Sequence, residues 1–231
     1  MKISKFFVMG FKGMLPITMG VIPFGAVMGT VSSEAQLTFF QTVTMNILVF
    51  AGAAQLASVE LMTKHAASIV VVVTGLVINL RFLLYSAALS PALQKSSFFV
   101  KLAAAYPITD QSYAVMSAHQ DKLKTHAESI QFYFGTCACM MLAWHLSVIA
   151  GFIFGNFAPS TWALDYAVPL SFVALVIPTL KNQKYVIVAA FSSVVSVMLH
   201  PLPYKIGLIL TAALAIILAT YITRAPVTRR D

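Results

Sequence analysis

Gly75-Leu76-Val77-Ile78-Asn79-Leu80-Arg81-Phe82-Leu83-Leu84-Tyr85 puts a guanidinium in the middle of an apolar run, where lipid offers it no partner. A charge at membrane depth costs a contested ~2.5–3.5 kcal/mol or more, so it is usually paired or lines a polar path. Further along, Pro107-Ile108-Thr109-Asp110-Gln111-Ser112-Tyr113 places a carboxylate in a second apolar region. Two intramembrane charges of opposite sign point to a chain that moves something across a bilayer.

The surrounding composition agrees. Of 231 residues, 59% are hydrophobic and only 10% charged. A soluble domain carries ~25% charged residues, so this chain has too few to coat a globule. The expected class is all-α: a polytopic transmembrane helical bundle of seven to eight spans with broken helices, forming one membrane domain over 1–231. The net charge of +8 comes from Lys and Arg lying between apolar runs, the placement of membrane anchors and not of a nucleic-acid surface. Cys137 and Cys139 are two apart, face different directions on a helix and read as small packing residues. Lys2, Lys5 and Lys12 lead into the first span without a small-x-small cleavage site, so a cleaved signal peptide is not expected.

A crossing helix needs ~20 mostly apolar residues. Candidate spans are 13–31, 37–61, 67–89, 99–118, 130–155, 162–180, 185–200 and 204–223. The fourth is weak because it contains Lys101, Pro107 and Asp110, and it also reads as re-entrant. Eight crossings with the N-terminus inside put eleven of the fifteen basic residues on the cytoplasmic side and three outside, with Arg81 in the membrane. The positive-inside rule therefore favours both ends cytoplasmic. No internal repeat is visible.

In the first span, Pro16 and Pro23 recur two turns apart, and Gly25 and Gly29 form a small-xxx-small pair. Either the glycines serve close helix packing, or the prolines open the helix around Pro23, Phe24 and Gly25 and expose backbone to a solute. In the second span Ala51-Gly52-Ala53-Ala54-Gln55 suggests a tightly packed spot where Gln55 bridges helices or meets solute. Glu60 and Lys64 have the spacing of a surface ion pair.

Arg81 and Tyr85 share a helix face, whereas Asn79 points elsewhere. If the third span ends near Leu89 and the fourth begins near Leu102, Arg81 and Asp110 are each eight residues in, or ~12 Å deep. An Arg81–Asp110 pair, direct or through water, is expected. Three roles for Arg81 stay open: snorkelling to headgroups, a structural ion pair, or a site that holds a carboxylate or couples to a proton. His145 and His200 read as packing residues, and Asp165 as a boundary residue. The chain has no phosphate loop, His-Glu-x-x-His, Gly-x-Ser-x-Gly or metal-spaced Cys/His set, so no enzyme, cofactor or metal is expected.

Several stretches, in order, resemble the AzlC family of branched-chain amino acid exporters. They are Ile22-Pro23-Phe24-Gly25, Ala51-Gly52-Ala53-Ala54-Gln55, Asn79-Leu80-Arg81 with Tyr85, Thr109-Asp110 with Tyr113, Asp165-Tyr166-Ala167-Val168-Pro169, and Leu202-Pro203-Tyr204 with Gly207. The resemblance implies a bacterial inner-membrane exporter of leucine, isoleucine, valine and methionine, driven by protons and working with a small AzlD-type membrane protein. Carried over residue by residue, it makes Pro23, Phe24, Gly25, Gln55, Asn79, Arg81, Tyr85, Thr109, Asp110 and Tyr113 the candidate substrate-binding or coupling residues. One departure stands out: the family often has an acid where this chain has Gln111. On this reading Arg81 meets the substrate carboxylate, Asp110 or carbonyls near Pro107 meet the ammonium, and Phe24, Tyr85 and Tyr113 wall the pocket. The rival reading is a non-transporting structural subunit whose polar residues lock helices together. An intramembrane enzyme is a weaker third, lacking a convergent acid–base pair.

Overall fold

The first helix ignores its two prolines. In the computed structural model, which describes residues 4–154, 180, 182–202 and 206–223, α1 runs unbroken over Lys5–Glu34 with Pro16 and Pro23 inside it. Its partner explains why. α8 (His126–Phe154) lies alongside it, and the two backbones touch at glycines. A Cβ on Gly10 would sit 2.1 Å from the Phe132 carbonyl oxygen, one on Gly29 2.1 Å from that of Val148, and one on Gly151 2.0 Å from that of Ala26. Contacts advance together along both chains, so the helices are parallel and packed over most of their length. Such contact supplies dispersion energy along the whole helix, against the local cost of two missing ladder bonds. Of the two readings, the opening at Pro23 is therefore absent, and Gly25 and Gly29 serve close packing.

The remaining elements of this region are α2 (Phe39–Leu48), α3 (Gly52–Thr63), α4 (Ser68–Asn79), α5 (Arg81–Leu93), α6 (Phe98–Ala105) and α7 (Asp110–His119), with a 3₁₀ turn at Gln120–Lys122. The chain divides into two units, Met1–Phe172 and Val173–Asp231. In the second, α9 (Gln183–Met198) is capped by Asn182, and α10 (Ile206–Thr223) approaches its end closely: a Cβ on Gly207 would lie 2.2 Å from the Leu199 carbonyl oxygen. The expected span 162–180 lies almost wholly outside the described residues, as do Asp165 and the Asp165–Pro169 motif.

Four helices among the described residues are long and apolar enough to cross a membrane: Lys5–Glu34, Ser68–Leu93 (α4 and α5 together), His126–Phe154 and Ile206–Thr223. No strand occurs among the described residues. The expected second and fourth spans, 37–61 and 99–118, instead fold as paired half-helices that turn back.

The neighbours of α2 and α3 establish the reversal. Phe39 packs its ring 5.6 Å from that of Phe152, near the end of α8. Seven residues on, Asn46 bonds Trp144, and Phe50 stacks on His145 at 5.4 Å. So α2 descends from the end of α8 toward its middle. After Val49-Phe50-Ala51, α3 starts beside Trp144 and Phe24. It finishes with Leu56, Val59, Glu60 and Thr63 sharing a hollow with Val31, Glu34 and Ala35 at the end of α1. Entry and exit are on one face.

α4 then runs down beside α3, with Gly75 next to Ser58, and α5 carries the chain through to the opposite face. There Ser96 Oγ hydrogen-bonds His126 Nε2 at 3.2 Å, at the start of α8. α6 climbs to the middle, where the Tyr133 hydroxyl donates to the Ala104 carbonyl at 2.8 Å. α7 leads back: Val115 and His119 lie beside Gly13, and the His119 ring is 5.1 Å from Phe132. This second hairpin enters and leaves on the face where α1 and α8 begin.

A repeat that the residues conceal emerges from this path. A full crossing followed by a re-entrant hairpin occurs twice, the second time upside down. The crossings end at Glu34 and Leu93, the first half-helices start at Phe39 and Phe98, and the second half-helices start at Gly52 and Asp110. The offsets are 59, 59 and 58 residues. The sequence reading found no repeat because the two copies share a course and not side chains: Gly52-Ala53-Ala54-Gln55 stands where the other copy has Asp110-Gln111-Ser112-Tyr113. Inverted repeats with discontinuous helices are a recurring plan of secondary transporters.

Candidate functional site

The two helix breaks meet. The Tyr106 hydroxyl, in the lower break, donates to the Ile47 carbonyl at the end of α2 at 2.6 Å, and its ring stacks on Phe50 at 6.0 Å. A helix end leaves four carbonyls without ladder partners, and in lipid each must find another donor. Side chains supply several: Tyr106 for Ile47, Tyr133 for Ala104 and Cys137 Sγ for Pro107 at 3.6 Å.

Beside this junction lies a cavity of about 30 Å³. Its polar lining comes from the starts of three helices. α3 contributes Ala51, Gly52 and Ala53; α5 contributes Arg81 and Phe82; α7 contributes Thr109, Asp110 and Gln111. Val21, Phe24, Phe50, Met140 and Trp144 close it with apolar surface. Phe24 and Trp144 meet edge to face at 5.2 Å.

The three starts differ. α7 is closed by a capping box in which the Thr109 hydroxyl accepts from the Ser112 amide at 3.1 Å and Ser112 Oγ accepts from the Thr109 amide at 2.8 Å. Its first residue is Asp110, whose negative charge suits a helix N-terminus. α5 scarcely has a separate start, since Leu80 keeps helical angles and its amide bonds the Val77 carbonyl at 3.2 Å. α3 has no side-chain cap.

Arg81 Nη1 and Asp110 Oδ2 are 2.9 Å apart, with side chains 25% and 12% exposed. This is the pairing that equal depth on consecutive segments predicts. The Tyr85 hydroxyl donates to the other carboxylate oxygen, Oδ1, at 2.6 Å. Tyr85 in turn stacks on Tyr113 at 4.8 Å and 15°. The guanidinium also lies 5.3 Å from the Phe82 ring, within reach of a cation–π contact. Arg81 Nε is buried with no hydrogen-bond partner among the described residues.

The sequence-derived residues therefore fall into groups. Phe24, Arg81, Thr109 and Asp110 line the cavity, and Tyr85 and Tyr113 stand behind its charge pair. Gly25 serves packing, because a Cβ there would meet Ser147 Oγ at 1.9 Å. Pro23 is within α1 and outside the lining. Gln55 is fully buried and turned aside: its Nε2 donates to Asn46 Oδ1 at 3.3 Å, linking the two halves of the upper hairpin. Asn79 ends α4 with its Oδ1 buried and unpartnered among the described residues.

Asn46 and Trp144 were missed. Asn46 Oδ1 also accepts from Trp144 Nε1 at 2.6 Å, tying α2 to α8. An amide ten residues into a candidate span was a signal available in the sequence. Gln111, noted there only as a departure, is 9% exposed and lines the cavity. Cys137 and Cys139 are free and buried, Glu60 and Lys64 pair at 2.8 Å, and His145 packs against Phe50 with its Nδ1 on the Met141 carbonyl. No cluster of metal-ligating side chains occurs among the described residues.

This geometry can hold a small polar or charged group at mid-depth among helix ends. Its volume is that of a very small group, since one water needs ~10–15 Å³ of such space. The family model for AzlC protein matches residues 16–158, which include every residue lining the cavity. Over 220 residues the chain is 26% identical to an uncharacterized membrane protein of Archaeoglobus fulgidus, spanning 92% of this chain and 93% of that protein. No solved structure matches the chain. With the family's pattern extending over more than half its length, and a membrane protein as its full-length relative, this chain is a member of the AzlC family of membrane proteins.

Proposed function

We propose that this protein is a secondary exporter of branched-chain and other apolar L-amino acids, coupled to the proton gradient and working with a small AzlD-type membrane subunit. The single observation that carries the proposal is the meeting of two oppositely directed re-entrant hairpins at a cavity containing Arg81 and Asp110. Broken helices at mid-depth are where secondary transporters bind substrate and coupling ion. Family membership supports a transport-related role.

Orientation follows from charge. In the first unit, Lys5, Lys12, Lys95, Lys101, Lys122 and Lys124 belong to the face where α1 starts, and Lys64 to the other. The positive-inside rule favours an α1 start on the cytoplasmic side, which supports the reading of a bacterial inner-membrane protein with its N-terminus inside. A zwitterion's apolar side chain would lie against Phe24, Phe50 and Trp144, and the small cavity must widen to admit it. Asp110, held from behind by Tyr85, is the polar wall that is able to receive an ammonium or a proton.

The test is efflux of labelled leucine from preloaded cells expressing the chain, with and without the small partner, before and after collapse of the proton gradient. Gradient-dependent efflux is expected. No efflux from cells holding both folded proteins would reject the reading for leucine. The rival, a structural subunit, draws on the small cavity and the direct Arg81–Asp110 pair. It predicts that Arg81→Ala and Asp110→Ala reduce folded protein without lowering efflux per molecule.

A further inference from the structure

The inverted repeat makes α3 and α7 equivalent half-helices, and their N-termini face the same cavity in different states. At the start of α7 the protein supplies its own carboxylate, Asp110, and a closed capping box. The equivalent position of α3 is Gly52, which has no carboxylate, and no side chain caps the helix. The first hydrogen bond of α3 runs from the Gln55 amide to the Ala51 carbonyl at 2.9 Å. The amides of Gly52, Ala53 and Ala54 therefore have no partner within the helix. Ala54 is 0% exposed, so its amide sits in a dry environment where an unmet hydrogen bond is costly, while Gly52 and Ala53 are half-buried and line the cavity.

A second observation is independent of the helix end. Gln111, on the opposite hairpin, is about nine-tenths buried, lines the same cavity and makes no side-chain hydrogen bond among the described residues. Two facing elements, α3 and α7, thus offer unmet N–H donors to one space. The only carboxylate among the described residues of its lining, Asp110, is already held by Arg81 and Tyr85. A set of donors lacking an acceptor fits an anion, and the volume of about 30 Å³ suits a group the size of a carboxylate and not a whole amino acid.

We infer that the N-terminus of α3, Gly52-Ala53, together with the Gln111 amide, is the subsite for the carboxylate of the transported solute, and that Arg81 serves chiefly to hold Asp110. This rests on the exporter reading for the identity of the ligand, though not for the existence of an anion subsite. It departs from the sequence expectation that Arg81 grips the carboxylate. It also gives Gln111 a role as a specificity-determining residue: a neutral amide leaves the cavity with balanced charge, so it admits an anionic group without first binding a proton.

Trp144 lines the cavity and reports on it directly; the other tryptophan, Trp162, is removed as Trp162→Phe. The full-length protein, purified with its small partner if efflux requires one, is titrated with L-leucine, 4-methylpentanoate and L-leucinamide while Trp144 emission is followed. Both carboxylates are expected to give saturable changes, with leucinamide at least tenfold weaker. Gln111→Glu, placing a negative charge on the subsite, is expected to weaken leucine at least tenfold, while Gln111→Met weakens it severalfold. Folding is checked by wild-type yield and a single gel-filtration peak. Leucinamide binding as tightly as leucine, or unchanged leucine affinity in folded Gln111→Glu and Gln111→Met, overturns the subsite. So does the absence of any carboxylate response. Carboxylate binding without leucine efflux would overturn the exporter reading and leave the subsite standing; efflux with indifference to the carboxylate would do the reverse.

Discussion

Removing one charge from the Arg81–Asp110 pair leaves the other stranded in the membrane, and the consequence can be measured. The two atoms are 2.9 Å apart, and the side chains are mostly buried. Arg81→Met keeps the apolar stem and deletes the cation. Asp110→Asn keeps an acceptor for the Tyr85 hydroxyl and deletes the anion, so the hydrogen bond at 2.6 Å drops out of the comparison. Breaking a buried pair from one side costs ~3–5 kcal/mol, and partial exposure of Arg81 places this case near the lower figure. Replacing both charges together is often close to neutral, so the double variant should lose about 1 kcal/mol or less. The single losses sum to about 6 kcal/mol, giving a coupling energy of about 5 kcal/mol. Reversible unfolding in mixed detergent micelles, followed by tryptophan fluorescence, measures all four proteins. A coupling below about 1 kcal/mol would refute the reasoning, because it would mean that water or headgroups already screen the pair.

Other outcomes follow from the same geometry. Cysteines placed at Glu34 and Lys64 should react with an impermeant maleimide from one face, and those at Lys95 and Lys124 from the opposite one, against a low background from buried Cys137 and Cys139; reaction of positions 34 and 64 from opposite faces would restore a crossing second segment. Gly151→Ala should lower stability by about 2 kcal/mol or more, since overpacking costs ~1–3 kcal/mol and the new Cβ would lie 2.0 Å from the Ala26 carbonyl oxygen. Gly13→Ala, whose nearest neighbour would be Val115 Cγ1 at 3.5 Å, should be neutral or gain up to ~1 kcal/mol from helix propensity, as read from the same unfolding curves. Asn46→Leu should cost about 2 kcal/mol or more, because it leaves Trp144 Nε1 and Gln55 Nε2 buried without their acceptor, and the Trp144 emission should move with it.

The sequence by itself determined the solvent and the chemistry of this protein. Too few charges to coat a globule require a membrane, and an isolated Arg81 and Asp110 at equal depth require each other. The lower break was also legible, because Pro107 precedes a polar run. What only the tertiary structure decided is the course of the chain through the bilayer. Hydropathy sums the transfer of side chains into lipid and is indifferent to direction, so a segment such as 37–61 scores alike whether it crosses or turns back. The upper turn at Val49-Phe50-Ala51 contains no proline or glycine, and it is held by long-range partners: Asn46 on Trp144, Phe50 on His145, Tyr106 on Ile47. α1 shows the converse, where the sequence left packing and opening both possible. Two prolines can announce a break, but backbone contact with α8 at Gly10, Gly29 and Gly151 accompanies a helix that runs unbroken along its partner. Local sequence states the cost of a break; only packing between distant segments states what opposes it.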